Sequence, residues 1–330
     1  MTYLIIFYSL ISFLLLFFFA KIGYRINLVD LPNKRKAHSI ATAYTGGIAI
    51  SIALVFSILI LDISNNDLNT ILSIAFLISI VGLIDDRFNL NVGGKLSLQI
   101  IPVFYLIVFQ NLSLHHLGNY DYFKIELGAF ALPFTLFCVL FLINAINYFD
   151  GMDGTLGFLT ISIIIILYFL VPDLNFKKYL SIILIPLSIF LFFNFSFFKF
   201  PKLFLGDSGS LLLGFILSFI LIYLSDRNNI HPILLAWSIS ILVYEFLSIN
   251  FIRLKNEKNL FKAGRDHLHH ILFKKFKSLF LTNFIIIIIN IFLFLLGYWS
   301  FLLISPLASL ALFVSLFFVF LFFRSKYSKK

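Results

Sequence analysis

Apolar runs of roughly membrane-crossing length recur along almost the whole 330-residue chain. They lie at 2–20, 45–61, 70–84, 96–110, 130–146, 155–171, 179–197, 208–225, 232–252, 280–297 and 303–323. Crossing the hydrocarbon core of a bilayer takes about 20 apolar residues of helix. Lipid offers backbone amides no partners, so only helices and closed barrels can span it. The alternating pattern of barrel strands is missing, and the runs are expected to be helices. Hydrophobic residues make up 61% of the chain and charged residues 12%, far from the balance of a soluble domain. The expected fold class is all-α: a polytopic integral membrane protein with about eleven transmembrane helices in a single transmembrane domain over 1–330. The first run has its basic residues after it, so it is read as a transmembrane helix and not as a cleaved signal peptide.

The loops between the runs divide sharply by charge. Segments 21–44, 85–95, 147–154, 198–207, 253–279 and 324–330 hold 21 of the 25 Lys and Arg; the other side has Lys124, Lys177, Lys178 and Arg227. By the positive-inside rule the first set is cytoplasmic, which places the N-terminus outside and the C-terminus in the cytoplasm. The net charge of +10 is then mainly a topology signal. Nucleic acid is not an expected partner, because the basic residues are dispersed over membrane loops. The single cysteine, Cys138, excludes an intrachain disulfide and a cysteine-rich metal site. Among the external loops, 111–129 is the longest, and its Y-D-Y-F-K-I-E-L stretch partly alternates, as in a small hairpin.

Asp85, Asp86, Asp150, Asp153, Asp207 and Asp266 all fall on the basic, cytoplasmic side. Asp85 and Asp86 are adjacent carboxylates, a repulsive pair that a cation or a transferable proton would repay. Lys95, past a glycine pair, is placed to reach a phosphate; the plainer alternative is a polar loop with a cap at Asp85. In I-N-A-I-N-Y-F-D-G-M-D-G-T, residues 143–155, Asn144, Asn147 and Asp150 drift only about 60° per step and share one helix face. Asp153 follows from a loop loosened by Gly151 and Gly154. These are hard oxygen donors suited to Mg²⁺. A stop signal and turn would explain D-G-x-D-G but not the two asparagines before it. F-L-G-D-S-G-S, residues 204–210, brings Asp207, two hydroxyls and two glycines to a helix start, a ready anion site. G-R-D-H-L-H-H, residues 264–270, carries Arg265, His267, His269 and His270. A zinc site is its rival reading, but without H-E-x-x-H or cysteine a cationic cradle for a diphosphate fits better. Basic residues and His38 in 30–47 lead into the Gly46-Gly47 pair. With the acids and histidines on one membrane face, the residues point to metal-assisted phosphoryl chemistry at that face.

The motifs resemble those of the polyprenyl-phosphate N-acetylhexosamine-1-phosphate transferases. D-D-x-x-D/N/H is matched by Asp85, Asp86 and Asn89, with Lys95 and Gln99 following; N-x-x-N-x-x-D-G-x-D-G is matched in full by Asn144 to Gly154. F-x-G-D-x-G-S surrounds Asp207. H-L-H-H is similar to the branch that starts O-antigen, enterobacterial common antigen and teichoic-acid linkage synthesis, whereas the peptidoglycan translocase has three adjacent histidines. S-I-A-T-A-Y-T-G-G departs from the family's usual Pro and Arg before the glycine pair, and the acidic residue usual in the ninth span is Glu245.

The resemblance implies transfer of an N-acetylhexosamine 1-phosphate from a UDP-sugar to undecaprenyl phosphate, with release of UMP, at the cytoplasmic face of a bacterial inner membrane. It implies Mg²⁺, with Mn²⁺ as an alternative, held by Asp207 and Asn147. Asp85 or Asp86 would deprotonate or position the lipid phosphate, and Asn144, Asp150 and Asp153 would hold the nucleotide end. Lys95, Arg265, His267, His269 and His270 would neutralise phosphate charge, with His269 acting on the departing UMP. Direct attack and a covalent aspartyl intermediate both fit. Expected partners are the UDP-N-acetylhexosamine, undecaprenyl phosphate and membrane lipid, with a homodimer left as an open alternative to the single chain. The alternatives are a translocase-like activity, another lipid-phosphate enzyme, or a transporter whose ion path would use Glu245, the one acid in mid-span.

Overall fold

The computed structural model describes residues 2–32, 41–61, 65–227, 230–257, 264 and 266–328. Its helices are α1 (Thr2–Arg25), α2 (Gly46–Ile60), α3 (Asn66–Phe88), α4 (Val92–Phe109), α5 (Ala131–Asn147), α6 (Thr155–Leu170), α7 (Leu174–Asn194), α8 (Gly206–Asp226), α9 (Pro232–Ser238), α10 (Ser240–Lys255), α11 (Leu268–Phe276), α12 (Leu279–Leu303) and α13 (Pro306–Ser328). Eight of them are long and apolar enough to cross a membrane; α9 and α10 qualify together but are bent by 73°, and α2 and α6 are apolar but shorter. Each of the eleven apolar runs falls on one of these helices or on the bent pair. The protein is therefore an all-α polytopic membrane protein.

The runs 70–84 and 96–110 are longer as helices than as apolar stretches. Asn65 accepts a hydrogen bond from the Leu68 amide and starts α3 early. At the other end α3 continues through Asp85, Asp86 and Arg87 to a left-handed cap at Asn89. The paired acids thus ride on the last turn of a helix, not in a loop. The bend between α9 and α10 falls at Ile239, and Asn290 of α12 donates to the Ser238 carbonyl beside it. A protein donor there meets a backbone group that lipid could not satisfy.

Helix α8 is the centre of the bundle. Nearly all its residues are buried, and it packs on α3, α5 and α2. Two glycines set that approach. A methyl group at Gly82 of α3 would strike the Asp207 carbonyl, and one at Gly47 of α2 would strike the Gly209 backbone. Gly82 lies one turn before Asp85, so the closeness that brings α3 to the start of α8 also delivers the paired acids there. The starts of α2, α4, α6, α8 and α12 and the ends of α3, α5, α7, α10 and α13 share this end of the bundle. A short ribbon, β1 (Val29–Asp30) with β2 (Thr42–Ala43), also reaches it, since Ala43 accepts from the Phe204 amide. The expected hairpin within 111–129 is present as antiparallel β3 (His116–Tyr120) and β4 (Phe123–Glu126).

Candidate active site

At the start of α8, Gly206 adopts φ +71°, and a side chain there would come within 2.6 Å of Asp86 Oδ2. Glycine thus makes room for the carboxylate, which accepts from the Ser208 amide at 3.3 Å. That amide is one of the unpaired donors of a helix N-terminus, where negative charge is favoured. Asp85 Oδ1 accepts from the Leu90 amide at 2.9 Å and closes the turn after α3. Lys95, in the first turn of α4, places its ammonium 2.7 Å from Asp85 and 2.5 Å from Asp207. Asn147, the last residue of α5, donates to Asp207 at 3.0 Å and to Ser210 at 2.8 Å. Four helices thus meet in one frame. Asn144 stands apart from it: its amide turns back on its own helix and donates to the Leu140 carbonyl at 2.7 Å.

The loop carrying Asp150 and Asp153 is tied at both flanks. Gly154 turns with φ +76°, and its amide donates to Asn194 at the end of α7. Asn283 of α12 donates to the Asp153 carbonyl and accepts from Thr155. Lys202 pairs with the Asp153 carboxylate at 2.6 Å. Loss of hydration, with Asp207 and Asp153 close by, pushes the Asp150 carboxyl up to about 7. The site therefore crowds more carboxyl groups than Lys95 and Lys202 can pair.

The histidines lie over the same loop. A side chain at Gly151 would come within 2.7 Å of His269 Nε2 and 3.4 Å of His270 Nε2. The His267 and His269 rings are parallel at 5.7 Å, and Tyr148 meets His267 edge to face. His269 is buried with neither ring nitrogen hydrogen-bonded, and His267 Nδ1 is equally bare. Buried polar atoms seldom go unpaired without a reason, and a polar ligand would give these nitrogens partners. Burial lowers His267 to about 4, the neighbouring cations adding to an effect that Asp266 only partly opposes. His269 is pushed well down by burial and then by His270 and His267. Burial thus favours the neutral imidazole in both, a hydrogen-bonding group without fixed positive charge. Asp266 stays below the usual carboxylate range: its burial works the other way, but the bidentate Arg253 guanidinium outweighs it.

Arg265 and His38 lie outside the described residues. Among the described residues no three His, Cys, Asp or Glu side chains converge as a ready-made metal site. Glu245 is buried against Arg324, which binds it bidentately at 2.7 and 2.8 Å. Sequence reasoning missed Lys202, Asn194 and Asn283. The two asparagines did carry a signal, since an amide at the edge of an apolar run needs a partner.

A family model described as "Glycosyl transferase family 4" matches residues 68–225, from α3 through α8. The chain is 30% identical over 273 residues to the undecaprenyl-phosphate alpha-N-acetylglucosaminyl 1-phosphate transferase of Escherichia coli O157:H7, covering 80% of this chain and 74% of that protein. It is 30% identical over 277 residues to the enzyme of the same name from Yersinia pestis, covering 82% and 76%. It is also 30% identical over 269 residues to a probable undecaprenyl-phosphate N-acetylglucosaminyl 1-phosphate transferase of Bacillus subtilis (strain 168), covering 76% and 71%. The acid frame on α3, α4, α5 and α8 lies within the family match, and the chain belongs to glycosyl transferase family 4.

Proposed function

We propose that this chain transfers N-acetylglucosamine 1-phosphate from UDP-N-acetylglucosamine to undecaprenyl phosphate and releases UMP, as the first membrane step of a cell-surface glycan. The names of the similar proteins support the transferred group and the acceptor. The observation that carries the chemistry is the convergence of Asp85, Asp86, Lys95, Asn147 and Asp207 at one end of the bundle. In this reading the chain crosses a bacterial inner membrane eleven times, N-terminus outside, with the site facing the cytoplasm. The crowding of Lys and Arg at the site's end supports that side.

The carboxylates divide the work. Asp85 has one oxygen on the Leu90 amide and the other on Lys95, so it holds the frame. Asp86 is held by backbone amides of α8 and, among the described residues, by no salt bridge. Asp86 takes the proton of the acceptor phosphate, whose oxygen then attacks the β-phosphorus of the nucleotide sugar. The bond from that phosphorus to the bridging oxygen breaks, and the oxygen leaves with UMP. His269 and His270 donate hydrogen bonds to the departing phosphate, while Asp150 and Asp153 face the nucleoside. Lys95 stabilises the equatorial charge of the transferring group.

The donor set fits Mg²⁺. It is all hard oxygen, and its carboxyl groups outnumber Lys95 and Lys202. With too few convergent side chains for a closed site, the protein would contribute one or two ligands, Asp207 foremost, and leave the rest to water and diphosphate, as Mg²⁺ sites commonly do. The ion would neutralise charge on the diphosphate.

Glu245 does not support a transporter reading, because its charge is consumed by Arg324. The deciding experiment gives purified protein labelled UDP-sugars and undecaprenyl phosphate, then extracts lipid. Label in the lipid with equimolar UMP is expected. Release of UDP would mean that sugar alone moves, and unlabelled lipid with every sugar would overturn the reading.

A further inference from the structure

Glu245 is 1% exposed and Arg324 5%. Two ions taken out of water need close pairing and full hydrogen bonding in return, and an apolar pair of similar size often serves stability equally well. The pair's remaining hydrogen bonds show another use. Glu245 Oε1 accepts from the Leu268 amide at 2.8 Å, the first amide of α11. Arg324 also donates to the Asp266 carbonyl. The Asp266 carboxylate is gripped by Arg253 at 2.8 and 3.1 Å. Three holds from α10 and α13 therefore fall on residues 266–268. Immediately beyond them His269 and His270 face Gly151.

We propose that Glu245 and Arg324 are positioning residues, a buried pair that seats the Asp266–Leu268 segment and so fixes His269 and His270 over the Asp150–Asp153 loop. Neither touches the reacting groups. The family match ends at residue 225, before any part of this clamp. The inference rests on the phosphoryl-transfer reading of the site, but its geometry can be tested separately.

The decisive variant is Glu245→Met/Arg324→Met in the full chain. Replacing both ions with apolar groups keeps α13 packed on α10 while deleting the holds on Leu268 and the Asp266 carbonyl. The double variant is expected to be monodisperse, with its thermal midpoint at or above that of the wild type. Its turnover is expected to fall on the order of 10²-fold, the scale of a displaced catalytic group. Amide exchange across 266–276 is expected to quicken while α3 and α8 stay protected. Arg324→Lys keeps the charge but cannot reach both partners, and should fall between. Wild-type turnover in the folded double variant, or unchanged exchange over 266–276, overturns the clamp. If the wild-type protein transfers no sugar phosphate, the proposed function fails and the exchange measurement still decides the clamp.

Discussion

Lys95 at the start of α4 and Asp207 at the start of α8, 112 positions apart in sequence, meet in a 2.5 Å ion pair. Asp85 closes the other side of the ammonium at 2.7 Å. One lysine therefore stands where two carboxylates would otherwise repel each other, the place a metal ion could also take. Lys95→Met should cut turnover by about 10²-fold, the usual cost of losing one preorganised charge. It should also lower the Mg²⁺ concentration that protects the protein against heat, because both acids are freed. Wild-type turnover and an unchanged Mg²⁺ midpoint would count against this arrangement.

Asp85→Asn, Asp86→Asn and His269→Ala should each reduce turnover by about 10²–10⁴-fold, the range for a positioned acid, base or donor. Asp85→Asn should in addition lower the thermal midpoint, since Asp85 is buried and ties Lys95 to the Leu90 turn. Asp86→Asn should not, because an amide oxygen can still accept from Ser208. Turnover on purified monodisperse protein, beside melting curves, separates the two effects. Three variants with near wild-type turnover would remove the catalytic roles of Asp86 and His269 and the framing role of Asp85.

Asp207→Asn should abolish transfer, and so should excess EDTA, with Mg²⁺ or Mn²⁺ restoring the latter. Labelled lipid formed at full rate in EDTA would rule out the divalent ion.

Asp150 has an ordinary value of 3.8 and stands at about 7 in the folded protein. Between those values the folded state keeps a proton that the unfolded chain has released. Stability from this group is complete below about 4 and declines as pH rises towards 7. Asp150→Asn should flatten that decline. Thermal midpoints of wild type and variant, followed from pH 4 to 8 in ligand-free buffer, test it. Parallel curves would show that Asp150 is not held protonated.

For sidedness, cysteines placed at Asn89 and at Asp121, in a chain whose Cys138 is changed to serine, should be labelled from opposite sides. Asn89 caps the acid-bearing end of α3, and Asp121 sits in the β3–β4 turn. Labelling of both by an external impermeant reagent would mean that α4 does not cross.

The sequence made the helices and the acid frame legible for one physical reason: lipid enforces apolar length, and the residues that break it stand out. It hid whatever depends on side chains meeting across helices. Asn144 and Asn147 look equivalent by spacing, yet one caps its own backbone and the other reaches Asp207. Apolar length also misplaced the end of α3, because two aspartates and an arginine fit on a last helical turn as well as in a loop. Helix α11 was invisible as a span because only nine residues form it. Glu245 stood out as an isolated acid, but its partner Arg324 looked like one more cytoplasmic positive charge.

The burial of α8 sets the two halves of the site in different mechanical surroundings. Asp207 and Ser210 stand on a helix enclosed by protein almost throughout, so thinning or stiffening of the bilayer reaches them only by moving neighbouring helices whole. One of the three holds on the histidine segment comes from α13, which has hardly any buried residues and is exposed along most of its length. A change in bilayer thickness tilts such an exposed helix first. Membrane composition would therefore bear on the seating of His269 and His270 through Arg324, and bear least on the α8 part of the acid frame.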